Sequence, residues 1–326
     1  MLSAMPTIRL QTPRRVRPAR VVVLGDLMLD VVLTPAVAPE IGTDVPGLVA
    51  LRQGGSAANT ARWLARLGAA STLLTAVGRD AAGRALVAEL RDDRVIVRAA
   101  RPAGRRTGRI GVIVGVGGER SFIADRGAAD GLAPTDLQPT WFARADLLHL
   151  PFYSLLGEPL GSAGRRAVEL ARTAGGLVSV DLASAGPLLS EGRRRALARL
   201  AEAAPDLLFA TAAEAKSLLG GGSLDRLLEL APIAIVKRGA MGATVVARGG
   251  PGAGQPRLRF DVATRPIEAP DTTGAGDAFD AGFIVAWLRA RSVGMASATA
   301  LPQSVLAGHR AAARQLVSTP RELSFR

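Results

Sequence analysis

The sequence contains no cysteine, so a disulfide framework, a thiolate metal site and a cysteine nucleophile are all excluded. Long apolar runs are also missing: the first one, VVVLGDLMLDVVL, is broken by two aspartates, and none reaches the roughly 18 residues of a membrane span. The residues before this run lack the cleavage pattern of a signal peptide. We therefore expect a cytoplasmic protein without a membrane segment, with residues 1–18 as a flexible N-terminal tail.

Lysine and aromatic residues are scarce. Only Lys216 and Lys237 are lysines, so arginine supplies nearly all of the positive charge behind the net charge of +13, and aromatic residues make up 4% of the chain. A protein this basic could bind nucleic acid. No basic stretch interleaved with aromatic residues is present, however, so we favour arginines spread over solvated helix faces and expect no nucleic-acid partner.

What the 326-residue chain does contain is a regular alternation of apolar runs and helical patterns, within a hydrophobic content of 48%. The runs DLLHL, LVSVD, DLLFA and IAIVK begin at 146, 177, 206 and 233. Earlier in the chain, a helix at about 56–67 lies between apolar strands at 20–24 and 71–77. Apolar strands that alternate with helices indicate βα units and a parallel sheet covered on both faces.

One region departs from this alternation. The segment TGRIGVIVGVGGERSFIAD (107–125) has the pattern of two strands around a Gly-Gly turn. Residues 30–52 also lack a helical pattern. We expect these parts, about 30–52 and 105–126, to form a small β-hairpin lid on a single α/β domain that spans 19–326. Four arginines of this region could meet a phosphate, although we favour a solvated rim: Arg101, Arg105, Arg106 and Arg109.

The stretch APDTTGAGDAFDAGF (269–283) places small residues before a helix. Phe279, Phe283 and Trp287 recur at helical spacing, so a helix begins near Asp277. The first N–H groups of a helix have no internal partner and lie at the positive end of its dipole. Glycines just before that point leave these groups accessible to an anion.

A carboxylate beside such an anion site has a chemical use. Asp277 can take the proton from a hydroxyl that attacks a phosphoryl group held by the neighbouring amides. The amides around Gly274, Ala275 and Gly276 would stabilise the charge that develops on that group. A simple helix cap is the alternative, but a cap requires neither the glycines nor the two threonines.

Two stretches resemble the signatures of the ribokinase-like (PfkB-type) carbohydrate kinase family. DTTGAGDAFDAGF resembles the C-terminal signature, and RQGGSAANTARWLARLG (52–68) resembles the N-terminal one. The resemblance covers residues 20–318. It implies a three-layer α/β/α sandwich with a mostly parallel central sheet, and ATP-dependent phosphorylation of a primary hydroxyl on a sugar or sugar-like molecule. It also implies Mg²⁺ as a cofactor, K⁺ as a further candidate, and a homodimer.

The resemblance also assigns roles to individual residues. It implies Asp277 as the catalytic base with an anion hole at Gly274, Ala275 and Gly276. Substrate hydroxyls would be bound by Asp26, Gly54, Gly55 and Asn59. The nucleotide would be bound by Lys237, Gly239, Gly242, Thr272, Thr273 and His309. Glu214 would organise magnesium indirectly, and Asp271 lies where some relatives place a ligand to a monovalent cation.

Two departures from the family pattern qualify these roles. The family often has an Asn-x-x-Glu motif that organises magnesium, and here Thr211 stands at the Asn position. Phosphofructokinase-type relatives have a lysine after the Gly-Gly pair, where this chain has Ser56, which favours an unphosphorylated substrate.

Two alternatives stay open. A nucleoside kinase would need an aromatic surface for the base, for which the candidates are Phe122, Trp141, Phe152 and Tyr153. The other alternative is a non-catalytic sugar-binding regulatory protein of the same fold, which the altered magnesium motif and the basic charge would favour.

Overall fold

A computed structural model describes residues 17–115, 119–249, 257–269 and 271–325. Apart from its last two residues, the predicted N-terminal tail lies outside this range, as does the Gly-Gly turn at 117–118. Within the described residues, every helix is too short or too polar to cross a membrane.

The described chain alternates strands and helices as its sequence predicts. The strands are β1 (Arg20–Leu24), β2 (Met28–Pro35), β3 (Gly47–Gly54), β4 (Ala70–Ala76), β5 (Ile96–Ala100), β6 (Arg109–Val114), β7 (Arg120–Asp125), β8 (Leu147–Pro151), β9 (Leu177–Asp181), β10 (Leu207–Thr211), β11 (Ile233–Lys237), β12 (Ala243–Ala247) and β13 (Leu258–Val262). The helices are α1 (Ser56–Arg66), α2 (Ala81–Asp92), α3 (Leu160–Thr173), α4 (Ala185–Leu188), α5 (Arg193–Ala203), α6 (Ala212–Leu219), α7 (Ala275–Ser292) and α8 (Ser297–Leu316).

Nine strands form the central sheet, in the order β13-β12-β11-β10-β9-β8-β1-β4-β5. The pairs from β11 to β5 are parallel, whereas β12 and β13 are added antiparallel at one edge. Both faces of the sheet are buried: Val21 and Val23 belong to one core, with α1, α2, α7 and α8, while Val22 and Leu24 belong to the other, with α3, α5 and α6. This three-layer α/β/α arrangement confirms the predicted fold class.

A second, smaller sheet has the strand order β3-β2-β6-β7 and is called the small sheet below. Its β2–β3 and β6–β7 pairs are antiparallel, but β2 and β6 pair in parallel. The strands of the predicted hairpin form the antiparallel β6–β7 pair, but the small sheet as a whole is a four-stranded mixed sheet rather than an antiparallel one. The reason is that β2 and β6 follow β1 and β5, which are themselves parallel strands of the central sheet. Val31 and Leu51 of the small sheet pack against the body.

Polar residues gather at the carboxyl ends of the parallel strands. Asp26 lies just beyond β1, and Asp181, Thr211 and Lys237 are the last residues of β9, β10 and β11. The first turn of α7, which carries Asp277, reaches the same edge, since Lys237 contacts α7 there. Open α/β sheets bind their ligands at this edge, so the sheet assembles the predicted site residues from distant parts of the sequence.

Candidate active site

The first turns of α1 and α7 meet at the half-buried side chain of Asp277. The hydroxyl of Ser56 donates a hydrogen bond to Asp277 Oδ1 at 2.6 Å, and Asn59 Nδ2 donates to Oδ2 at 2.9 Å. Ser56 and Asn59 begin α1, while Asp277 is in the first turn of α7. The two stretches that resemble family signatures are therefore in contact, through hydrogen bonds from α1 to the carboxylate of Asp277.

The electrostatics of Asp277 suit a general base. Burial raises the pKa of Asp277 to about 6, although the hydrogen bonds from Ser56 and Asn59 act in the opposite direction. A base whose pKa lies just below neutral is ionised at physiological pH and still has useful affinity for a proton.

The amides before Asp277 are only partly available to an anion. The N–H of Ala275 donates to the carbonyl of Thr272 at 3.2 Å, because this bond closes the turn that starts α7. Within the described part of the chain, the N–H groups of Gly274 and Gly276 have no acceptor, and no side chain caps α7. Of the three predicted anion-hole amides, those of Gly274 and Gly276 can therefore bind a ligand.

A buried lysine lies directly beneath this turn. Lys237 Nζ donates to Asp181 Oδ1 at 3.0 Å and to both carboxylate oxygens of Asp280 at 3.1 Å. A Cβ atom added at Gly276 would lie 3.5 Å from Lys237 Nζ. Burial would lower the pKa of Lys237, but the two aspartates outweigh burial and raise it well above its usual range. The ammonium group therefore stays charged next to the anion site.

Asp181 and Asp280 did not emerge from the sequence as site residues. Asp280 is fully buried one turn after Asp277, between Phe279 and Phe283 of the packed helix face. Burying an acid at a core-facing position is costly unless the acid has a charged partner. The position of Asp280 between two phenylalanines of the packed face was therefore the sequence signal that it has such a partner. Asp181 ends the apolar run LVSVD in the same way.

Thr211 and Glu214 form a capping box at the start of α6. Glu214 Oε2 accepts a hydrogen bond from the Thr211 N–H at 2.7 Å, and the Thr211 hydroxyl accepts one from the Glu214 N–H at 3.2 Å. Thr211 thus serves as a helix cap at the position where the family pattern has Asn. Burial and the neighbouring charge of Asp181 raise the pKa of Glu214.

Asp181 and Glu214 could hold Mg²⁺, because Lys237 binds Oδ1 of Asp181 and the Thr211 N–H binds Oε2 of Glu214, which leaves the other oxygen of each carboxylate for a metal. Mg²⁺ is usually held by one or two carboxylates together with substrate phosphates and waters, rather than by a cage of protein ligands. The described residues contain no group of three or more acids or histidines that could hold a metal ion.

Asp26 occupies a buried position beside an arginine that the sequence did not single out. Asp26 Oδ1 accepts a hydrogen bond from the Ala57 N–H at 3.2 Å, and its other oxygen lies 3.6 Å from Arg126 Nη1. Arg126 also binds Asp130 at 2.6 Å and lies over the ring of Tyr153 at 5.0 Å. Asp26 is therefore already partly neutralised at the place where substrate hydroxyls were expected.

The Gly-Gly pair is needed for close packing as well as for any ligand. A Cβ at Gly54 would lie 1.9 Å from Asp30 Oδ1, and a Cβ at Gly55, whose φ is +101°, would lie 2.5 Å from the carbonyl oxygen of Asp26. Burial first, and then the negative charge of Asp26, raise the pKa of Asp30 to about 7. Both glycines thus let Asp26 and Asp30 lie against bare backbone.

We expect the Gly55→Ala substitution to lower the free energy of unfolding by about 2–4 kcal/mol, because it combines backbone strain with overpacking. Gly68→Ala is the matched control, because φ is +86° there and nothing lies within 4 Å of an added Cβ. The control should lose only about 1–2 kcal/mol from backbone strain. Urea unfolding of both variants measures the difference, and equal losses would contradict the packing argument.

The remaining predicted nucleotide-binding residues are distributed around α7. Thr272 is exposed, and the carbonyl of Thr273 accepts a hydrogen bond from Gln315 Nε2 at 3.0 Å. The ring of His309 lies 5.3 Å from the ring of Phe279. The structure thus brings Thr272 and Thr273 to the start of α7, whereas it packs His309 against the helix.

Gly239 and Gly242 lie in the turn between β11 and β12. A Cβ at Gly242 would lie 2.1 Å from the carbonyl oxygen of Val262, so the close approach of β13 by itself requires glycine at this position. Gly239 has open space around it.

Asp271 is bound by two arginines of the small sheet. Arg120 Nη1 lies 2.7 Å from Asp271 Oδ1, and Arg52 Nη1 lies 3.1 Å from Oδ2. The Thr273 N–H also donates to Oδ1 at 2.8 Å. K⁺ requires a set of oxygen ligands, and two guanidinium groups already contact both carboxylate oxygens. The residues at Asp271 therefore do not fit the expected monovalent cation.

Three of the four lid arginines have partners within the chain, and the fourth, Arg109, is exposed. Arg101 donates to the carbonyl of Gly78, Arg105 donates to that of Gly127 at 3.2 Å, and the exposed side chains of Arg106 and Asp125 pair at 3.4 Å. These contacts support the interpretation that the arginines form a solvated rim rather than a phosphate-binding site.

A large, mostly parallel sheet between two helical layers, with a small second sheet, is the architecture of ribokinase-like kinases. The adenosine kinase of Sinorhizobium meliloti superposes with a TM-score of 0.76 at 24% identity, covering 94% of this chain and 96% of that one. A protein described as a ribokinase II of E. coli, solved with ATP and Mg²⁺, has a TM-score of 0.73 at 25% identity, covering 93% and 94%.

Sequence comparison then specifies the family. The model for the pfkB family of carbohydrate kinases matches residues 18–318. Fructokinase-1 of Oryza sativa subsp. japonica is 32% identical over 278 residues, which cover 81% of each chain. The chain belongs to the pfkB family of carbohydrate kinases. The predictions of a carbohydrate kinase and of ATP-dependent sugar phosphorylation are thereby confirmed.

Proposed function

We propose that this kinase transfers the terminal phosphoryl group of ATP to a primary hydroxyl of a free sugar, with fructose as the first substrate to test. Asp277 takes the proton from the attacking hydroxyl. The amides of Gly274 and Gly276 and the ammonium group of Lys237 meet the negative charge of the phosphoryl group in transfer. The sugar lies near Asp26 and Asn59, at the carboxyl edge of the sheet.

One observation carries this proposal. Asp277 lies half-buried between Ser56 and Asn59, beside helix amides that have no acceptor within the described chain, and its pKa is raised to about 6. A carboxylate that only capped a helix would bind the amides of that helix. Instead, both oxygens of Asp277 accept hydrogen bonds from side chains of another helix, which leaves the amides for a ligand.

The proposed metal is Mg²⁺, held by Asp181 and Glu214 together with the phosphates of ATP. When bound, it would neutralise part of the phosphate charge. Closure of the small sheet over the site would exclude water and so protect ATP from hydrolysis.

The geometry favours a sugar over a nucleoside. Of the four aromatic residues considered for a base-binding surface, Phe152 is in the core and Tyr153 is covered by Arg126. Trp141 lies against Arg98, with the guanidinium carbon 5.7 Å from the ring centroid. Phe122, on β7 of the small sheet, is the most exposed of the four. A nucleoside kinase therefore remains the second candidate, with Phe122 as its best support.

The deciding experiment measures ADP release with ATP and Mg²⁺ across a panel of free sugars, sugar phosphates and nucleosides. We expect the highest kcat/KM for a free sugar, with fructose first among those tested. A nucleoside or a sugar phosphate that is turned over faster than every free sugar would overturn the substrate assignment.

The pKa of Asp277 should set the pH dependence of turnover. Because the base acts as a carboxylate and its pKa is about 6, kcat/KM should fall as pH drops below 6 and level off above it. The Ser56 hydrogen bond lowers this pKa, so Ser56→Ala should move the falling limb to higher pH. A pH–rate profile of both proteins measures the shift. A limb that stays in place in Ser56→Ala would contradict the assignment of the titration to Asp277.

We also propose a cytoplasmic homodimer. The support is the small sheet, whose outer strands β3 and β7 carry exposed apolar side chains: Leu48, Val49, Phe122 and Ile123. Exposed apolar strands at a sheet edge are suited to pairing with another chain.

A further inference from the structure

The contact between the small sheet and the loop before α7 involves a carboxylate and two arginines from separate strands. Arg52 is in β3 and Arg120 begins β7. Their side chains are 28% and 12% exposed, so both ion pairs are shielded from bulk water. Shielded ion pairs fix geometry more firmly than surface pairs do, because solvent screens them less.

Arg120 also contacts the helix start through a second residue. Its guanidinium donates a hydrogen bond to the hydroxyl of Thr273, the residue immediately before Gly274. The backbone N–H of Thr273 binds Asp271, and its carbonyl accepts a hydrogen bond from Gln315. The turn that presents the anion-site amides is therefore held from both sides.

We propose that Arg52 and Arg120 supply, from within the chain, the positive charge that the family resemblance implies for a monovalent cation at Asp271. They are positioning residues: they hold the Asp271–Thr273 turn so that the amides of Gly274 and Gly276 face the phosphoryl group. Phosphoryl transfer by this enzyme therefore does not depend on K⁺. This inference rests on the proposed anion site at the start of α7.

A cavity of about 290 Å³ adjoins these residues, so a cation from solution has room to replace a missing guanidinium. Its lining includes Asn59, Arg52, Arg120, Asp271 and Thr273. Removal of the Arg120 guanidinium would leave Asp271 Oδ1 with the Thr273 N–H as its remaining partner and without a counter-charge at this space. A small cation from solution could then enter and restore the lost charge.

The first measurement uses the wild-type enzyme with its best substrate from the panel. At constant ionic strength, kcat in KCl, NaCl and tetramethylammonium chloride should agree within about twofold, because only general screening is left to act. Activation by K⁺ of about tenfold or more over tetramethylammonium would overturn the proposal, since that size of effect requires a bound ion rather than screening.

The second measurement uses Arg120→Met, which keeps the apolar stem and removes the charge. In tetramethylammonium chloride, kcat should fall by about 10²-fold, because the amides lose their position. KCl or guanidinium chloride at low concentration should restore much of that activity. Arg106→Met is the matched control, because Arg106 pairs with Asp125 at an exposed site of the small sheet. The control should show neither the loss nor the rescue.

A third readout does not depend on catalysis. K⁺ should raise the melting temperature of Arg120→Met relative to tetramethylammonium, and it should leave the wild-type melting temperature unchanged. Absence of a K⁺-dependent shift in the variant, or its presence in the wild type, would overturn the inference. If no sugar or nucleoside is phosphorylated in any salt, the proposed function fails, while this thermal comparison still judges the role of the arginines.

Discussion

The Asp277→Asn enzyme should turn over its sugar about 10³-fold more slowly than wild type, because the proton of the attacking hydroxyl loses its acceptor. The amide has the shape of the carboxylate: its oxygen can accept the hydrogen bond from Asn59 Nδ2, while its NH2 group can donate to the Ser56 hydroxyl oxygen. Binding of ATP and of the sugar should therefore change little. Steady-state kinetics and isothermal titration calorimetry, with the same protein preparation, measure the two effects separately.

Asp125→Asn provides an isosteric control at an exposed aspartate of the small sheet, where Arg106 is the partner. This variant should retain full activity. Near-normal turnover by Asp277→Asn would remove Asp277 from the mechanism. A loss of sugar binding equal to the loss of turnover would make Asp277 a binding residue instead.

The Lys237→Met substitution should produce the largest loss of stability, about 3–5 kcal/mol, because it leaves buried acids without their counter-charge. Asp280 is completely buried, and Asp181 is nearly so. Urea unfolding with matched samples measures the change. Lys216→Met is the matched control, since Lys216 is the only other lysine and is exposed on α6. The control should change stability by less than about 0.5 kcal/mol.

The double variant Lys237→Met/Asp280→Asn distinguishes the ion pair from simple packing. With one acid neutralised, the double variant should be more stable than Lys237→Met alone, since fewer buried charges lack a partner. A double variant that is less stable than the single one would show that the methylene stem of Lys237, rather than its charge, stabilises this region. The double variant also provides a folded protein if Lys237→Met alone does not fold.

The central sheet could be predicted from sequence because its strands are buried on both faces. A strand of that kind is apolar at most positions, so runs such as LVSVD and IAIVK stand out from the amphipathic helices between them. The pairing within the small sheet was harder to predict. Turn signals indicate antiparallel neighbours, whereas the parallel β2–β6 pair joins segments that no local turn connects.

The candidate site was predictable where several functional residues are adjacent in sequence. The Gly-rich stretch and the Gly-Gly pair were recognisable, and the structure brings Asp277 and Asn59 into direct contact. Single charged residues were not recognisable in this way: Arg120, Arg126 and Asp181 become neighbours of the site only through folding. The arginine partners of Asp271 could not be predicted from sequence, because they lie on strands far away in the chain.

The small sheet is made from two excursions of the chain, and this affects the order of assembly during synthesis. The ribbon of β2 and β3 leaves the ribosome first, and a two-stranded ribbon alone is marginally stable in water. Its partner β6 is made only after α1, β4, α2 and β5. The small sheet can therefore be completed only after the central strands β4 and β5 have been synthesised.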